Sequence, residues 1–245
     1  MTPSELVSKI GSHPTALLGL RSSEGGAENG PSFSDSGLDR WLVVCCLLGH
    51  NVDPGLACAS ARALAEAGFA LPSALAKAGP LAVESTLVAG GHPAPEATAQ
   101  LLVRVSRTLE ERYGGSLAAL ARGADDLEEL AGRLLGLASG FGRAAVLRLL
   151  RPLRDTWPVV DEIPLDPAAR AAAVHLGWIL EGQDEDGAPG ALRAFLRSAC
   201  SDPPPAPTQF CDVEAALERL GRRACRRERS DRCPLGSDCP QRDTR

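Results

Sequence analysis

The sequence lacks several features that mark whole classes of protein. Its apolar runs, of which Trp41 to Leu48 is one of the longest, fall far short of the roughly 20 residues of a membrane span. With 25 glycines and 19 prolines in 245 residues, the chain is neither collagen-like nor of low complexity. Aromatic residues make up only 4%, which argues against a platform that stacks the bases of a single strand. The balance of 44% hydrophobic and 23% charged residues is that of an ordinary globular protein.

Lysine is nearly absent as well. Lys9 and Lys77 are the only lysines, and the other 24 of the 26 basic residues are arginines. Nine of these arginines and four acidic residues lie in residues 219–245, so this segment carries +5 while residues 1–218 carry −10. A basic segment on an acidic body is typical of contact with phosphate groups. A merely solvated terminus is the alternative.

The cysteines are unevenly distributed. Cys45 and Cys46 lie in an apolar helical pattern and are expected in the core. Cys225, Cys233 and Cys239 crowd into the basic segment. Because the sequence shows no export signal, we expect a reducing compartment, in which clustered cysteines favour metal binding over disulfides.

Nearly every periodic segment predicts a helix. From Leu38 to Leu48, apolar residues recur at intervals of three and four, and Gly49 ends the pattern. No alternating run makes a convincing strand, Thr156–Ile163 being the nearest candidate. The sequence therefore predicts an all-α fold of about ten helices joined by short loops.

The sharpest local pattern is the segment from Leu137 to Ala145. Gly140 and Gly142 bracket the apolar Phe141 between two predicted helices. Glycine tolerates positive φ, which allows a tight reversal, and the second helix then offers its free N-terminal amides to an anion. Phe141 is expected to fill the space between the helices. Such a hairpin can hold a DNA phosphate through backbone atoms without reading sequence.

Further features follow in a fixed order. Asp166 and Pro167 open a helix that runs to Leu176-Gly177, and the cysteine-rich basic segment comes after it. This order resembles the endonuclease III-like helix-hairpin-helix DNA glycosylases. Members of that family have a hairpin of the form L-P-G-V-G, then V-D-x4-R-x3-R-L-G, then a C-terminal cysteine cluster.

The resemblance extends upstream of the hairpin. The Leu47–Asn51 segment is similar to the family's L-L-x-x-Q-N/A segment beside the base pocket, and Gly90–Ala94 falls where the family has its G-x-Y loop. The likeness spans roughly Asp39 to Cys239, with each motif degenerate but all in order.

The resemblance implies a two-lobed fold with the DNA groove between the lobes. One lobe would comprise residues 39–143 and the other residues 1–38 plus 144–245. It also implies a cytoplasmic, nucleoid-associated monomer of bacterial type that binds double-stranded DNA and no membrane. The residues expected at the DNA are Gly140, Phe141, Gly142, Arg143, His92, Arg226 and Arg227, with His50 and Asn51 in the base pocket. For His92, an exposed turn residue without such a role is the alternative.

The chemistry implied departs from part of the family. Bifunctional members carry a lysine just after the hairpin that forms a Schiff base, and here Ala144 occupies that position. A monofunctional glycosylase needs instead a carboxylate that stabilises an oxocarbenium-like sugar and orients water. The family pattern aligns Asp166 with this carboxylate, while the preceding valine pair favours Asp161. Asp166 is preferred, although it could serve only as a helix cap, and a non-catalytic DNA-binding relative is the alternative function.

The cysteine pattern is also incomplete. The family's iron–sulfur loop is C-x6-C-x2-C-x5-C, and Cys233 and Cys239 keep the final spacing, with Cys225 upstream of them. Ser230 stands where one of the thiolates is expected. A [4Fe–4S] cluster takes four ligands, usually all cysteine. The options are a serine ligand, a three-cysteine cluster or a cluster that is lost; we expect it to be degenerate or lost.

Overall fold

The computed structural model describes residues 1–11, 13–20, 33–49, 52–154, 157–160, 163–184, 186–199, 210–225 and 233–239. These residues confirm the all-α prediction: they are mostly helical and contain no strand. The α-helices in them are α1 (Pro3–Ile10), α2 (Pro14–Leu17), α3 (Asp35–Leu47), α4 (Pro54–Glu66), α5 (Pro72–Lys77), α6 (Pro80–Ala89), α7 (Pro95–Tyr113), α8 (Leu117–Ala121), α9 (Leu127–Leu135), α10 (Arg143–Leu150), α11 (Pro167–His175), α12 (Ala188–Ala199) and α13 (Phe210–Arg223).

Several helices begin where the sequence supplies a cap. Proline occupies the first turn of α1, α4, α5, α6, α7 and α11, where it costs no hydrogen bond. Side chains also cap: Thr2 begins α1 with a capping box, and Ser34 and Asp126 accept amide hydrogens at the starts of α3 and α9. The local sequence therefore fixes where many of the helices start.

The chain divides into two compact units. The hairpin unit comprises Pro14–Asp161, and the terminal unit comprises Met1–His13 together with Glu162–Arg245. The expected lobes had a boundary after Arg143, whereas α10, which begins there, belongs to the hairpin unit. Trp41 Nε1 donates a 3.0 Å hydrogen bond to the carbonyl of Leu149, and Arg148 donates one of 3.0 Å to the carbonyl of Leu48. These bonds attach α10 to α3.

Helix α3 lies at the centre of the hairpin unit. Its residues from Trp41 to Leu47 are all buried, and it packs against α4, α5, α7, α8 and α10. This stretch, which is apolar on every side of the helix, is expected at such a position. The long α7 packs against α5 and α6, and α9 packs against α8 and α10.

The terminal unit is built on the pair α11 and α13, with α1 against α13. A Cβ added to Gly221 on α13 would lie 2.0 Å from the carbonyl oxygen of Ala168, so the absence of a side chain at Gly221 permits this close approach. Leu6 from α1 and Val213 from α13 are fully buried in the same core.

Some predicted elements change. The described residues contain thirteen α-helices where about ten were expected, and three of them, α2, α5 and α8, have six residues or fewer. In the segment considered as a strand, Pro158–Val160 forms a 3-10 turn. None of the helices in the described ranges has both the length and the hydrophobicity to cross a membrane.

Candidate nucleic-acid interface and carboxylate site

The turn between α9 and α10 has the geometry expected from its glycines. Gly140 has φ +99°, a value that favours glycine, and both it and Gly142 are exposed. Phe141 is only 1% exposed and therefore belongs to the core of the hairpin unit. The expectation that Phe141 fills the space beneath the hairpin agrees with this burial, and its side chain is not at the surface to meet DNA.

The first turn of α10 is left open. Gly142 precedes the helix without a side-chain cap, and the first turn holds no acidic residue. A Cβ added to Gly142, whose φ is an ordinary −82°, would meet nothing within 4 Å. Sterics within the protein therefore do not demand glycine there, and a glycine has no side chain that could cap the first amides of α10.

Arg143 stands at the first position of α10, and its side chain is exposed. A cation at the positive end of a helix dipole is unfavourable on its own account. An anion in front of the helix would reverse this effect, since both the free amides and the guanidinium attract it. The open turn, Gly142 and Arg143 together make an anion-binding arrangement.

His92 does not lie where the sequence analysis expected it. It is 5% exposed, so it is neither at the DNA surface nor an exposed turn residue. Its Nδ1 accepts a hydrogen bond from the Ala94 amide at 3.2 Å, which leaves Nε2 to donate to the Leu47 carbonyl at 3.1 Å. His92 thus attaches the α6–α7 turn to the end of α3, and we remove it from the expected DNA contacts.

Four further predicted groups lie outside the described residues. They are the base-pocket pair His50 and Asn51, the alternative carboxylate Asp161, the arginines Arg226 and Arg227, and the cluster position Ser230. Their roles remain predictions from sequence.

Asp166 forms the expected N-cap of α11. Its Oδ1 accepts a 2.8 Å hydrogen bond from the Ala168 amide, and its Oδ2 accepts one of 3.2 Å from Arg222 Nη2. The residue is 6% exposed, and its own amide donates to Glu214 Oε1 at 3.3 Å. Both carboxylate oxygens are therefore engaged by donors of the terminal unit.

Glu214 and Arg222 are the site residues that sequence reasoning missed. Glu214 is 3% exposed, and Arg222 also bonds Glu218, one turn earlier on α13. Both reach Asp166 because α13 crosses close to the start of α11 at Gly221. The Gly-Arg pair at the end of this helix was visible in the sequence, but its partner lies 56 residues away.

The three cysteines of the basic segment share one environment. Cys239 is buried in the core of the terminal unit, and Cys225 and Cys233 pack against that core. The thiol of Cys239 lies close enough to that of Cys233 to oppose its ionisation. Burial, with a smaller contribution from the other two thiols, raises the pKa of Cys225 to about 11. Burial also raises the pKa of the Cys233 thiol, although the Leu235 amide opposes the shift.

The degenerate or lost [4Fe–4S] cluster stays a prediction, because one of its expected ligand positions, Ser230, lies outside the described residues. Within the ranges that the structure covers, no three Cys, His, Asp or Glu side chains are arranged to hold a metal ion. Three thiols supply one ligand fewer than the cluster takes. We therefore derive no chemistry from a cluster.

No protein-family model matches the chain, and no curated protein matches its sequence. The likeness to endonuclease III-like glycosylases thus depends on the order of the degenerate motifs.

Proposed function

We propose that the protein binds duplex DNA through the α9–α10 hairpin and hydrolyses the N-glycosidic bond of a damaged base as a monofunctional glycosylase. The observation that carries the proposal is the open first turn of α10 behind Gly140 and Gly142, with the cation Arg143 at its entrance. A DNA phosphate satisfies both groups, and the contact involves no base edge.

The hydrolytic step requires a carboxylate and water. The carboxylate stabilises positive charge on the sugar as the bond between C1′ and the base nitrogen breaks, and it accepts a proton from the attacking water. The oxygen of that water forms the new bond to C1′, and the base leaves with the proton that the water gave up, so the carboxylate ends ionised. In this proposal Asp166 is the preferred carboxylate and Asp161 the alternative.

A specific observation favours the second candidate, a non-catalytic DNA-binding relative. Asp166 is almost fully buried, caps α11 and bonds Arg222, which is how a purely structural aspartate behaves. In this case the hairpin would still bind DNA, and no base would be released.

Asp166→Asn separates the two candidates. Asparagine caps helices about as well as aspartate, so a structural role predicts little loss of stability. A role in stabilising the sugar cation predicts a loss of roughly two to three orders of magnitude in base release, with DNA affinity retained. Asp53→Asn is the matched control, because Asp53 also precedes a proline and accepts from the amide two residues on, at 2.8 Å.

The assay uses duplexes that each carry a different lesion, with alkali added afterwards to reveal abasic sites. Base release by the wild type that survives Asp166→Asn but not Asp161→Asn would move the catalytic role to Asp161. No release from any duplex, combined with tight duplex binding, would favour the non-catalytic relative.

Borohydride tests the monofunctional character separately. Since Ala144 stands where bifunctional members have lysine, no imine should form and no covalent DNA complex should be trapped. A trapped complex with the wild-type protein would overturn the monofunctional proposal.

A further inference from the structure

A cavity of about 140 Å³ lies in the hairpin unit, between α3 and α4. Seven of its nine lining residues are aliphatic: Val43 and Val44 come from α3, Leu18 and Leu20 from the segment after α2, and the other three are alanines. An apolar cavity of roughly 150 Å³ is large enough for a benzene molecule. The space therefore suits a small organic molecule.

Two cations stand in this apolar wall. Arg40 on α3 is half-buried and Arg62 on α4 is exposed, and both line the cavity. Neither guanidinium forms a hydrogen bond or ion pair with any residue that the structure describes. None of the described residues that line the cavity is acidic.

The described carboxylates nearest in sequence to Arg40 and Arg62 form no ion pair with them. Asp39, next to Arg40, accepts the Leu117 amide at 2.8 Å and so turns towards α8. Glu66 lies one helical turn after Arg62, and no ion pair joins these two described residues. Among the described residues, the two guanidiniums at this cavity thus lack a carboxylate partner.

We propose that this cavity binds a small organic monoanion, a carboxylate that carries a short aliphatic or aromatic body. Arginine presents paired donors that match a carboxylate, and the aliphatic walls bury the body of the ligand. Inorganic phosphate would leave those walls unfilled. The site is distinct from the hairpin and does not depend on the proposed activity.

The test measures binding of benzoate and butyrate to the full chain by calorimetry and by thermal unfolding. A ligand of the folded state raises the unfolding temperature saturably. Benzyl alcohol and butanol keep the apolar body without the charge, and acetate and inorganic phosphate keep the charge without the body. Benzoate or butyrate should bind more tightly than all four.

Variants then locate the site. Arg40→Gln and Arg62→Gln should each weaken benzoate binding by at least about tenfold, the effect of losing a hydrogen bond to a charged group. Arg62 is exposed on its helix, so its variant retains the core even if Arg40→Gln folds poorly. Arg104→Gln, at an exposed position of α7, should leave affinity unchanged. Ala61→Phe should fill the cavity and abolish binding without altering charge.

Three results would overturn the proposal. They are the absence of saturable binding by either carboxylate, equal binding of inorganic phosphate and benzoate, and full binding by both Arg62→Gln and Ala61→Phe. Weaker duplex binding by Arg62→Gln than by the wild type, with no saturable binding of either carboxylate, would assign the two arginines to nucleic acid instead.

Discussion

The N-termini of α10 and α11 differ in how their free amides are satisfied. Helix α10 starts after Gly142, which provides no side-chain cap. The start of the helix is exposed and carries the cation Arg143 at its first position. Helix α11 starts after Asp166, which is buried, caps the helix and bonds Arg222. One helix start is open to an external anion, and the other already holds an internal one. The start of α10 can therefore bind an anion from outside the protein, whereas the carboxylate oxygens of Asp166 are already hydrogen-bonded within it.

A substitution that forces α11 and α13 apart, next to the capped start of α11, should have the largest effect on stability. Gly221→Ala places a Cβ against the Ala168 carbonyl, where two backbones would have to move apart. We expect the free energy of unfolding to fall by about 3 kcal/mol, near the upper end of what overpacking costs. Gly132→Ala in α9, where a Cβ meets nothing within 4 Å, should instead gain about 0.5–1 kcal/mol. Urea denaturation compares the two, and similar values for both variants would contradict the close approach.

Reversing the charge of Arg143, at the uncapped start of α10, should weaken DNA binding and increase stability. Arg143→Glu places an anion at the N-terminus of α10, which should add about 0.3–1 kcal/mol to the stability of the free protein. The same change should weaken duplex binding by at least about tenfold, because phosphate is now repelled. Fluorescence anisotropy at several salt concentrations measures the binding. Arg104→Glu makes the same charge change in the middle of α7, and an equal loss there would show that net charge alone decides.

Arg222→Gln removes the ion pair with Asp166 at the start of α11 and should reduce stability less than Gly221→Ala does. The Arg222 side chain is 48% exposed, so its ion pair with Asp166 should contribute no more than about 1 kcal/mol. Glu218→Gln removes the other ion pair of Arg222 and leaves the one with Asp166 in place. Thermal unfolding of both variants apportions the two pairs. If Arg222→Gln lowers the free energy of unfolding by more than about 3 kcal/mol, the cost of breaking a buried ion pair, then Arg222 is needed to neutralise Asp166.

The smallest effect is expected at Asp39, a carboxylate of the hairpin unit. Burial raises its pKa, although the Leu117 amide opposes the shift. Because the folded value exceeds the unfolded one, the contribution of Asp39 to stability is complete below the unfolded pKa and is lost as pH rises through the folded pKa. Asp39→Asn should therefore equal or exceed the wild type in stability at pH 7. The advantage should shrink towards acidic pH, as chemical denaturation at several pH values would reveal.

Local features were predictable from the sequence, and long-range contacts were not. The hairpin glycines and the Asp166 cap depend on neighbours within a few residues, and both were located correctly. The burial of His92 depends on α6 and α7 docking at the end of α3, which no local pattern encodes. The contact between Arg222 and Asp166 likewise depends on the crossing of α11 and α13. The boundary of the hairpin unit depends on which face α10 buries, and that became visible only in the bonds of Arg148 and Trp41.

Because of the hydrogen bond from Trp41 to Leu149, the fluorescence of Trp41 reports on the contact between α3 and α10. The Trp41 indole is fully buried, and its N–H is held by the carbonyl of a residue in the last turn of α10. Separation of α10 from α3 would expose this indole to water and shift its emission to the red. Trp157 and Trp178, the other tryptophans, can be replaced by phenylalanine to isolate the signal. The core therefore contains a natural probe for the integrity of its hairpin helix, and no label is needed.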